Sequence, residues 1–351
     1  VLKIHTEKAE KMDGVLRIFT AKDIPGERFT GLIIPDWPLM VTEGETTRYL
    51  GDILAGVVAE TEKQARAALD LIDVEYEILS PLTDTSEALS NQSPKIHESG
   101  NLLSTTEIQR GDCIKAEKES EYITKGTYKT QRIEHAFMEL ECCVAKPKED
   151  GIEVFSQGQG VYEDRNSISK ILGIPLENVV VSLMPNGGAF GGKEDISVQG
   201  HASLFAHLLQ IPVRVALTRP ESLLMHPKRH PMSMDISMGC DKKGKLTFIK
   251  ADIIGDTGAY ASVGMKVLER AAGHATSVYT IPSVEILSRA VYTNNVPCGA
   301  MRGFGVNQIN FAVESCLDEL CELGGFDRWQ IRFDNALKPG DCTSTGQKIT
   351  S

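Results

Sequence analysis

The stretch Pro185–Asp195, PNGGAFGGKED, sets an amine and two carboxylates beside two Gly-Gly pairs. Gly187, four intervening residues, Gly192 and Lys193 have the spacing of a phosphate-binding glycine loop, in which backbone amides cradle phosphates and the lysine reaches them. Such a loop ends on Ser or Thr, whose hydroxyl ligates magnesium; here Glu194 follows. A carboxylate would meet phosphate oxygens at short range in a poorly hydrated loop, a repulsion on the order of several kcal/mol. Glycines flanking Ala189 and Phe190 instead suit close approach of backbone to a bulky group, because glycine has no Cβ and accepts left-handed dihedrals. Two alternatives stand beside that reading: a plain exposed turn with Lys193, Glu194 and Asp195 as solvated charges, and a nucleotide-binding protein.

Two further loops carry chemistry of the same kind. SQGQG at 156–160 places glutamines among glycines at a strand end, where side-chain amides can hydrogen-bond a ligand. VPCGAMRGFGVNQ at 296–308 sets Arg302 and Phe304 between glycines, a cation and an aromatic ring on a permissive backbone. Either alone could be a turn, with the arginine in an ordinary ion pair. Three such loops in one chain point to a ligand site.

The elements that must position these loops follow from periodicity. GVLRIFTAKDIPG reads as a strand entering a turn, ILAGVVAET as a buried strand, EKQARAALDLI as a helix and DVEYEIL as a strand, a compact α+β unit over residues 1–88. Residues 89–112 are polar and weakly periodic, as in a linker. From residue 113 the chain reads as successive strands, then the helix YEDRNSISKILG closed by Gly173, and the strand NVVVSLMP that delivers the chain into the glycine loop. SVQGHASLFAHLLQ is predicted helical, VRVALT a strand, and MSMDISMGCDKKGKLTFIKADIIG a hairpin turning on Lys243-Gly244. The fold class is α+β.

Composition excludes several functions. Lys plus Arg less Asp plus Glu is 37 − 48 = −11, with no basic block to neutralise a run of phosphates, so nucleic acid is not an expected partner. No apolar run approaches the roughly 18 residues of a membrane span, and the opening VLKIHTEKAEKMDG has no apolar signal core; a cytoplasmic location is the expectation. The eight cysteines contain no C-x-x-C pair, so zinc and iron–sulfur spacings are missing and reduced, mostly buried thiols are expected. The eight histidines are scattered, as structural histidines are, and no residue is assigned as a metal ligand.

NGGAFGGKE, RGFGVNQ, GDTGAY and IEHAFMELE together resemble the molybdenum-binding subunit of the xanthine dehydrogenase and aldehyde oxidase family of molybdenum hydroxylases. FTAKDIPG, RYLGD and VAETEKQARAALDLIDVEYE resemble that family's N-terminal a/b hammerhead domain. The similarity covers essentially the whole chain, and NGGAFGGKEDIS with VPCGAMRGFG is most similar to bacterial xanthine dehydrogenases, selenium-dependent ones among them. It implies a hammerhead domain over 1–88, a linker over 89–112 and the first part of a molybdopterin-binding domain over 113–351. The implied cofactor is molybdenum-molybdopterin, its cytosine dinucleotide form included.

Carried over by position, the resemblance places Phe190 and Gly191 in the loop whose backbone lies beside the molybdenum oxygens. Gln159 becomes the glutamine that hydrogen-bonds the metal's oxo group, and Arg302 lies at the pyranopterin. Phe304 stacks on a flat heterocycle, and Glu194 and Arg270, in VLERAAG, hold a purine. Hydroxylating a ring carbon builds negative charge on the heterocycle, which a guanidinium aimed at the ring stabilises; Glu194 can bond a ring nitrogen or move a proton. Aldehyde-oxidising relatives generally lack this Glu and Arg pair, so a purine hydroxylase acting on xanthine or hypoxanthine is implied. The alternative within the family is an aldehyde or other N-heterocycle hydroxylase, and outside it a non-catalytic binding module. The family's glutamate base lies in a later segment than this chain contains, so the chain reads as a fragment expected not to turn over substrate alone. Iron–sulfur and FAD centres, and the remaining C-terminal half of the subunit, are the implied partners.

Overall fold

The computed structural model describes residues 1–350. At the N-terminus Val15–Thr20 pairs antiparallel with Ala55–Ala59, and Lys3–His5 with Asp73–Glu75. The helix Glu62–Leu69 packs on the first pair and opens at Thr61, whose hydroxyl accepts from the Gln64 amide. The strand expected over DVEYEIL stops at Glu75, and Ile78 and Leu79 are exposed; Lys3–His5 is too short to pair with more of it.

The glycine loop hangs from a four-stranded sheet ordered Val179–Leu183, Gly151–Ser156, Cys142–Lys148, Val213–Ala216. Gly151–Ser156 and Val179–Leu183 are parallel, so a crossover must join them. That crossover is the helix Val161–Leu172, ended by Gly173 at φ 64°. SQGQG and the glycine loop therefore leave the same ends of adjacent strands. The helix Val198–Leu209 packs on this sheet, and its Phe205 stacks on Phe19 of the N-terminal unit with ring centroids 4.6 Å apart. Phe205→Ala is expected to cost about 3 to 5 kcal/mol, read as a fall in denaturation midpoint with the N-terminal unit becoming protease-sensitive first.

A five-stranded sheet runs Leu102–Arg110, Ser283–Tyr292, Leu246–Gly258, Met232–Cys240, Tyr122–Thr130. The expected hairpin is present, with Gly244 at φ 77° in its turn. The helices Gly264–Gly273 and Val306–Gly324 bury their apolar faces on the sheet, against Met232, Met234, Ile236 and Met238 among others.

Three segments depart from the sequence reading. Residues 102–110, read within a linker, form the sheet's edge strand, paired with Ser283–Tyr292; one face is open to water, so its sequence alternates polar residues and looks like a connector. Residues 113–119 are a helix capped by the Asp112 carboxylate on the Lys115 amide, where strands were expected. The stretch Gln131–Leu140 lies outside both sheets. No helix among the described residues is long and apolar enough to cross a membrane.

Candidate functional site

Three left-handed residues in quick succession shape the glycine loop: Gly188 (φ 103°), Phe190 (φ 54°) and Gly191 (φ 101°). A Cβ on Gly191 would lie 2.8 Å from the Ala300 carbonyl oxygen and 3.0 Å from Met301 Cα, so this glycine presses backbone against the RGFG segment. The Arg302 amide donates to the Phe190 carbonyl at 2.8 Å. From the other side Gln159 Oε1 accepts from the Gly191 amide at 2.9 Å and the Lys193 amide at 3.3 Å. The three loops singled out in the sequence thus meet in one place. Gly191's amide, expected to face a cofactor, is taken by Gln159. Among the described residues the Phe190 amide, Gln159 Nε2 and the exposed Arg302 guanidinium have no protein partner.

Lys193 is not a phosphate-seeking amine. It is 5% exposed, its Nζ donates to the Glu139 carbonyl at 2.7 Å and to Gln157 Oε1, and it lies 4.5 Å from the Phe137 ring centroid. The nucleotide-binding alternative loses its central group. The plain-turn alternative fails as well, since Asp195 is also buried, accepting from Ser262 Oγ at 2.6 Å, with burial pushing its carboxyl up to about 6.

Phe304, at φ 41°, stands beside the Arg270 guanidinium, 5.8 Å from ring centroid to Cζ. Gly305 docks this loop onto the helix bearing Arg270; its Cβ would lie 2.3 Å from the Val267 carbonyl oxygen. Arg270 is exposed and no carboxylate pairs with it among the described residues. Glu194 does not contact Arg270. It lines a cleft with Leu32 and Trp37 from the N-terminal unit and Glu163 and Ser167 from the helix Val161–Leu172. Leu32 and Phe304 both pack against the core of the five-stranded sheet and its helices. Glu194 is half-buried with no hydrogen-bond partner for its carboxyl among the described residues, and burial raises that carboxyl above the usual range. An unpartnered, partly dehydrated carboxyl in a cleft is suited to bonding a ligand or holding a proton.

Beneath the loops lies a group of charges that the sequence reading did not single out. Glu134, Glu141, His226 and Lys228 are joined by contacts of 2.7 to 3.2 Å. The ligand atoms of the neighbours Glu134 and His135 and of the distant His226 come within 4.8 Å of one another, but Glu134 already holds the Lys228 ammonium at 2.7 Å. IEHAFMELE and HPKRHP, dense in titratable residues beside apolar ones, were the available signal. The thiols are free, and six of the eight cysteines are buried.

Residues 1–80 match the model of the aldehyde oxidase and xanthine dehydrogenase a/b hammerhead domain, and residues 96–336 that of the molybdopterin cofactor-binding domain. The chain belongs to the aldehyde oxidase and xanthine dehydrogenase family. It is 40% identical to a probable xanthine dehydrogenase subunit of Bacillus subtilis over 99% of this chain and 47% of that one. It is 36% identical to the nicotinate dehydrogenase large molybdopterin subunit of Eubacterium barkeri over 99% of this chain and 82% of that one. The aldehyde oxidoreductase structure from Desulfovibrio gigas superposes with a TM-score of 0.94 at 29% identity, over 99% of this chain and 39% of that one. The chain therefore spans about half the length of the xanthine dehydrogenase relative it matches. An α+β fold of hammerhead plus the start of a molybdopterin-binding domain is what both family models describe.

Proposed function

We propose that this chain forms part of the cofactor and substrate site of a molybdenum hydroxylase acting on a purine. The observation that carries the reading is the exposed Arg270 guanidinium standing beside the Phe304 ring with no carboxylate partner, a cation and a flat apolar face offered together. The unpartnered donors at Gln159, Phe190 and Arg302 fit a group rich in anionic oxygens, and the Gly191 contact lets backbone reach it. When bound, molybdopterin's metal accepts the electrons of hydroxylation, with the oxygen drawn from water.

This chain's residues supply the rest. Gln159, its carbonyl pinned by two loop amides, presents Nε2 outward as a fixed donor, and Arg302 answers anionic charge on the pterin. Phe304 stacks on the heterocycle, Arg270 stabilises charge that develops on it, and Glu194 bonds a ring nitrogen or holds a proton. Iron–sulfur and FAD centres in partner subunits or other regions would supply the onward acceptors for those electrons. The similarity to a nicotinate dehydrogenase subunit over 82% of its length supports a second reading, hydroxylation of a pyridine carboxylate, for which Arg270 would bind the carboxylate.

Metal and pterin analysis of the intact protein, with turnover compared on xanthine, nicotinate and an aldehyde, tests the proposal. Molybdenum and pterin with xanthine preferred is the expected result; a nicotinate or aldehyde preference overturns the purine assignment. Glu194→Val is expected to lower kcat/KM for xanthine about tenfold and leave an aldehyde's unchanged. An equal loss on both substrates would show that Glu194 is structural.

A further inference from the structure

The unexplained feature of this fold is a cluster of four ionisable side chains under the site loops, with Glu141, His226 and Lys228 buried and Glu134 half-buried. His226 is 2% exposed. Its Nε2 faces Glu134 Oε1 at 2.8 Å, while its Nδ1 faces the Ser222 carbonyl oxygen at 2.6 Å and Glu141 Oε1 at 3.2 Å. A carbonyl can only accept, so Nδ1 carries a proton; the Glu134 carboxylate 2.8 Å from Nε2 and the Glu141 carboxylate 3.2 Å from Nδ1 favour a second proton on the ring, against the Lys228 ammonium 3.5 Å from both nitrogens. Two close carboxylates against one more distant ammonium favour the imidazolium. Two carboxylates balance it and the Lys228 ammonium, so the cluster is electrically neutral as a whole.

Its connections lead to the site. Glu134 is followed by His135, whose Nε2 donates to the Ala300 carbonyl at 2.8 Å and whose ring lies where a Gly192 Cβ would stand, 2.9 Å away. His135 is thus wedged between the glycine loop and the RGFG segment. Lys228 is bonded through its own backbone to that segment, its amide to the Pro297 carbonyl and its carbonyl to the Gly299 amide, each at 2.9 Å. The Glu134 to His226 and Lys228 contacts therefore clamp together the two chain segments that support opposite loops.

We infer that His226 is a positioning residue held as an imidazolium, and that its charge locks the glycine loop against the RGFG segment through Glu134 and Lys228. The electrostatics agree with the geometry. Burial opposes the charge on His226, but Glu134 and Glu141 outweigh it and raise the imidazole above its usual range. Burial likewise pushes Glu134 up, yet His226 and Lys228 hold it down to about 2, whereas His135 is driven to about 4 by burial and stays neutral. The charged and titratable groups facing His226 are Glu134, His135 and Glu141 from the segment before the sheet, Lys228 from its own, and, across a shared cavity, Asp195 of the glycine loop, His201 of the helix Val198–Leu209 and Tyr49 of the N-terminal unit. A histidine raised in the fold contributes stability fully below its unfolded value of about 6.5 and loses it as pH rises through the folded value. The lock should open on the alkaline side.

This inference deepens the proposed function, yet neither of its measurements uses substrate or molybdenum, so failure of either idea is visible separately. Histidine C2-hydrogen exchange in the intact wild-type protein, followed by mass spectrometry, reads each imidazole's midpoint. His226 should titrate above about 6.5 and His135 below it; a His226 midpoint at or below that value overturns the inference. Amide exchange of peptides covering 187–195 and 299–305 should rise about tenfold in His226→Gln with other peptides unchanged. No change in those peptides, or the same rise everywhere, removes the positioning role. If that variant does not fold, wild-type exchange in the two peptides, corrected for intrinsic rate, must rise as pH passes the His226 midpoint. A flat profile there also refutes the lock.

Discussion

Replacing Arg270 with methionine in the intact protein is expected to cut xanthine turnover about a hundredfold while changing its binding by less than about threefold. The asymmetry follows from when the charge is present. On the purine reading proposed above, the bound base would be held by stacking on Phe304 and by hydrogen bonds, whereas negative charge would grow on the ring only as its carbon is attacked. On the same reading Arg270, its Cζ 5.8 Å from the Phe304 centroid, would meet that charge from beside the ring. With no carboxylate pairing with it among the described residues, its field is not cancelled within the protein. Loss of one preorganised donor commonly costs about 3 to 4 kcal/mol, between a hundredfold and a thousandfold. Since Arg270 is exposed in this chain, solvent screens part of its field, and the lower end of that range is the expected size.

Arg270 is exposed, and methionine replaces it with a shorter, unbranched apolar chain that suits a helix, so little folding stability is at stake and an unchanged melting point separates a fold defect from the effect. The rate on an uncharged aldehyde should hold or improve, because an aldehyde spreads no charge over an aromatic ring. Separate kcat and KM values for xanthine and an aldehyde decide the matter: xanthine kcat within about twofold of wild type would remove Arg270 from catalysis. If nicotinate is the true substrate, the same variant should instead raise KM steeply, because the carboxylate is charged before reaction begins.

The loops were legible in the sequence because glycine spacing is local information. Gly188 and Gly191 both adopt left-handed φ, and the strand into the loop and the helix closed by Gly173 lie where periodicity placed them. Burial of the loop's charges was not legible. Lys193-Glu194-Asp195 has the look of a solvated turn, and only tertiary packing against Phe137, Gln157 and Ser262 shows two of the three inside. The edge strand Leu102–Arg110 was missed for the converse reason, since a strand wet on one face need not be apolar. His226 and Glu134 are brought together across 92 positions (226 − 134) by the fold alone, and no spacing rule reaches that far. The pairing of Glu194 with Arg270 came from resemblance; physically they sit on different elements, one in a cleft against the N-terminal unit and one beside Phe304.

Valine at Gly191 should be the more damaging of two glycine substitutions that look alike by backbone angle. Gly191 has φ 101° and Gly44 φ 86°, so valine at either adopts a conformation that β-branched residues avoid, at a cost of about 1 to 3 kcal/mol. Only Gly191 has a second obstacle: its new Cβ would meet the Ala300 carbonyl oxygen at 2.8 Å and Met301 Cα at 3.0 Å, while at Gly44 nothing lies within 4 Å. Those atoms are backbone and cannot rotate away. The glycine loop must therefore separate from the RGFG segment, which breaks the bond from the Arg302 amide to the Phe190 carbonyl and moves the Gly191 amide off Gln159. Gln159 Nε2 and Arg302, the donors read as facing the cofactor, lose their fixed placement together. In the intact protein, Gly191→Val should retain less than about a tenth of the wild-type molybdenum and pterin, whereas Gly44→Val should melt lower but keep its cofactor. Alanine separates the two costs further, since it carries the same Cβ without the branch: Gly191→Ala should still lose most of the metal. Full cofactor content in Gly191→Val, with a melting point matching Gly44→Val, would mean that the loop does not support the cofactor and that its glycines serve only the turn.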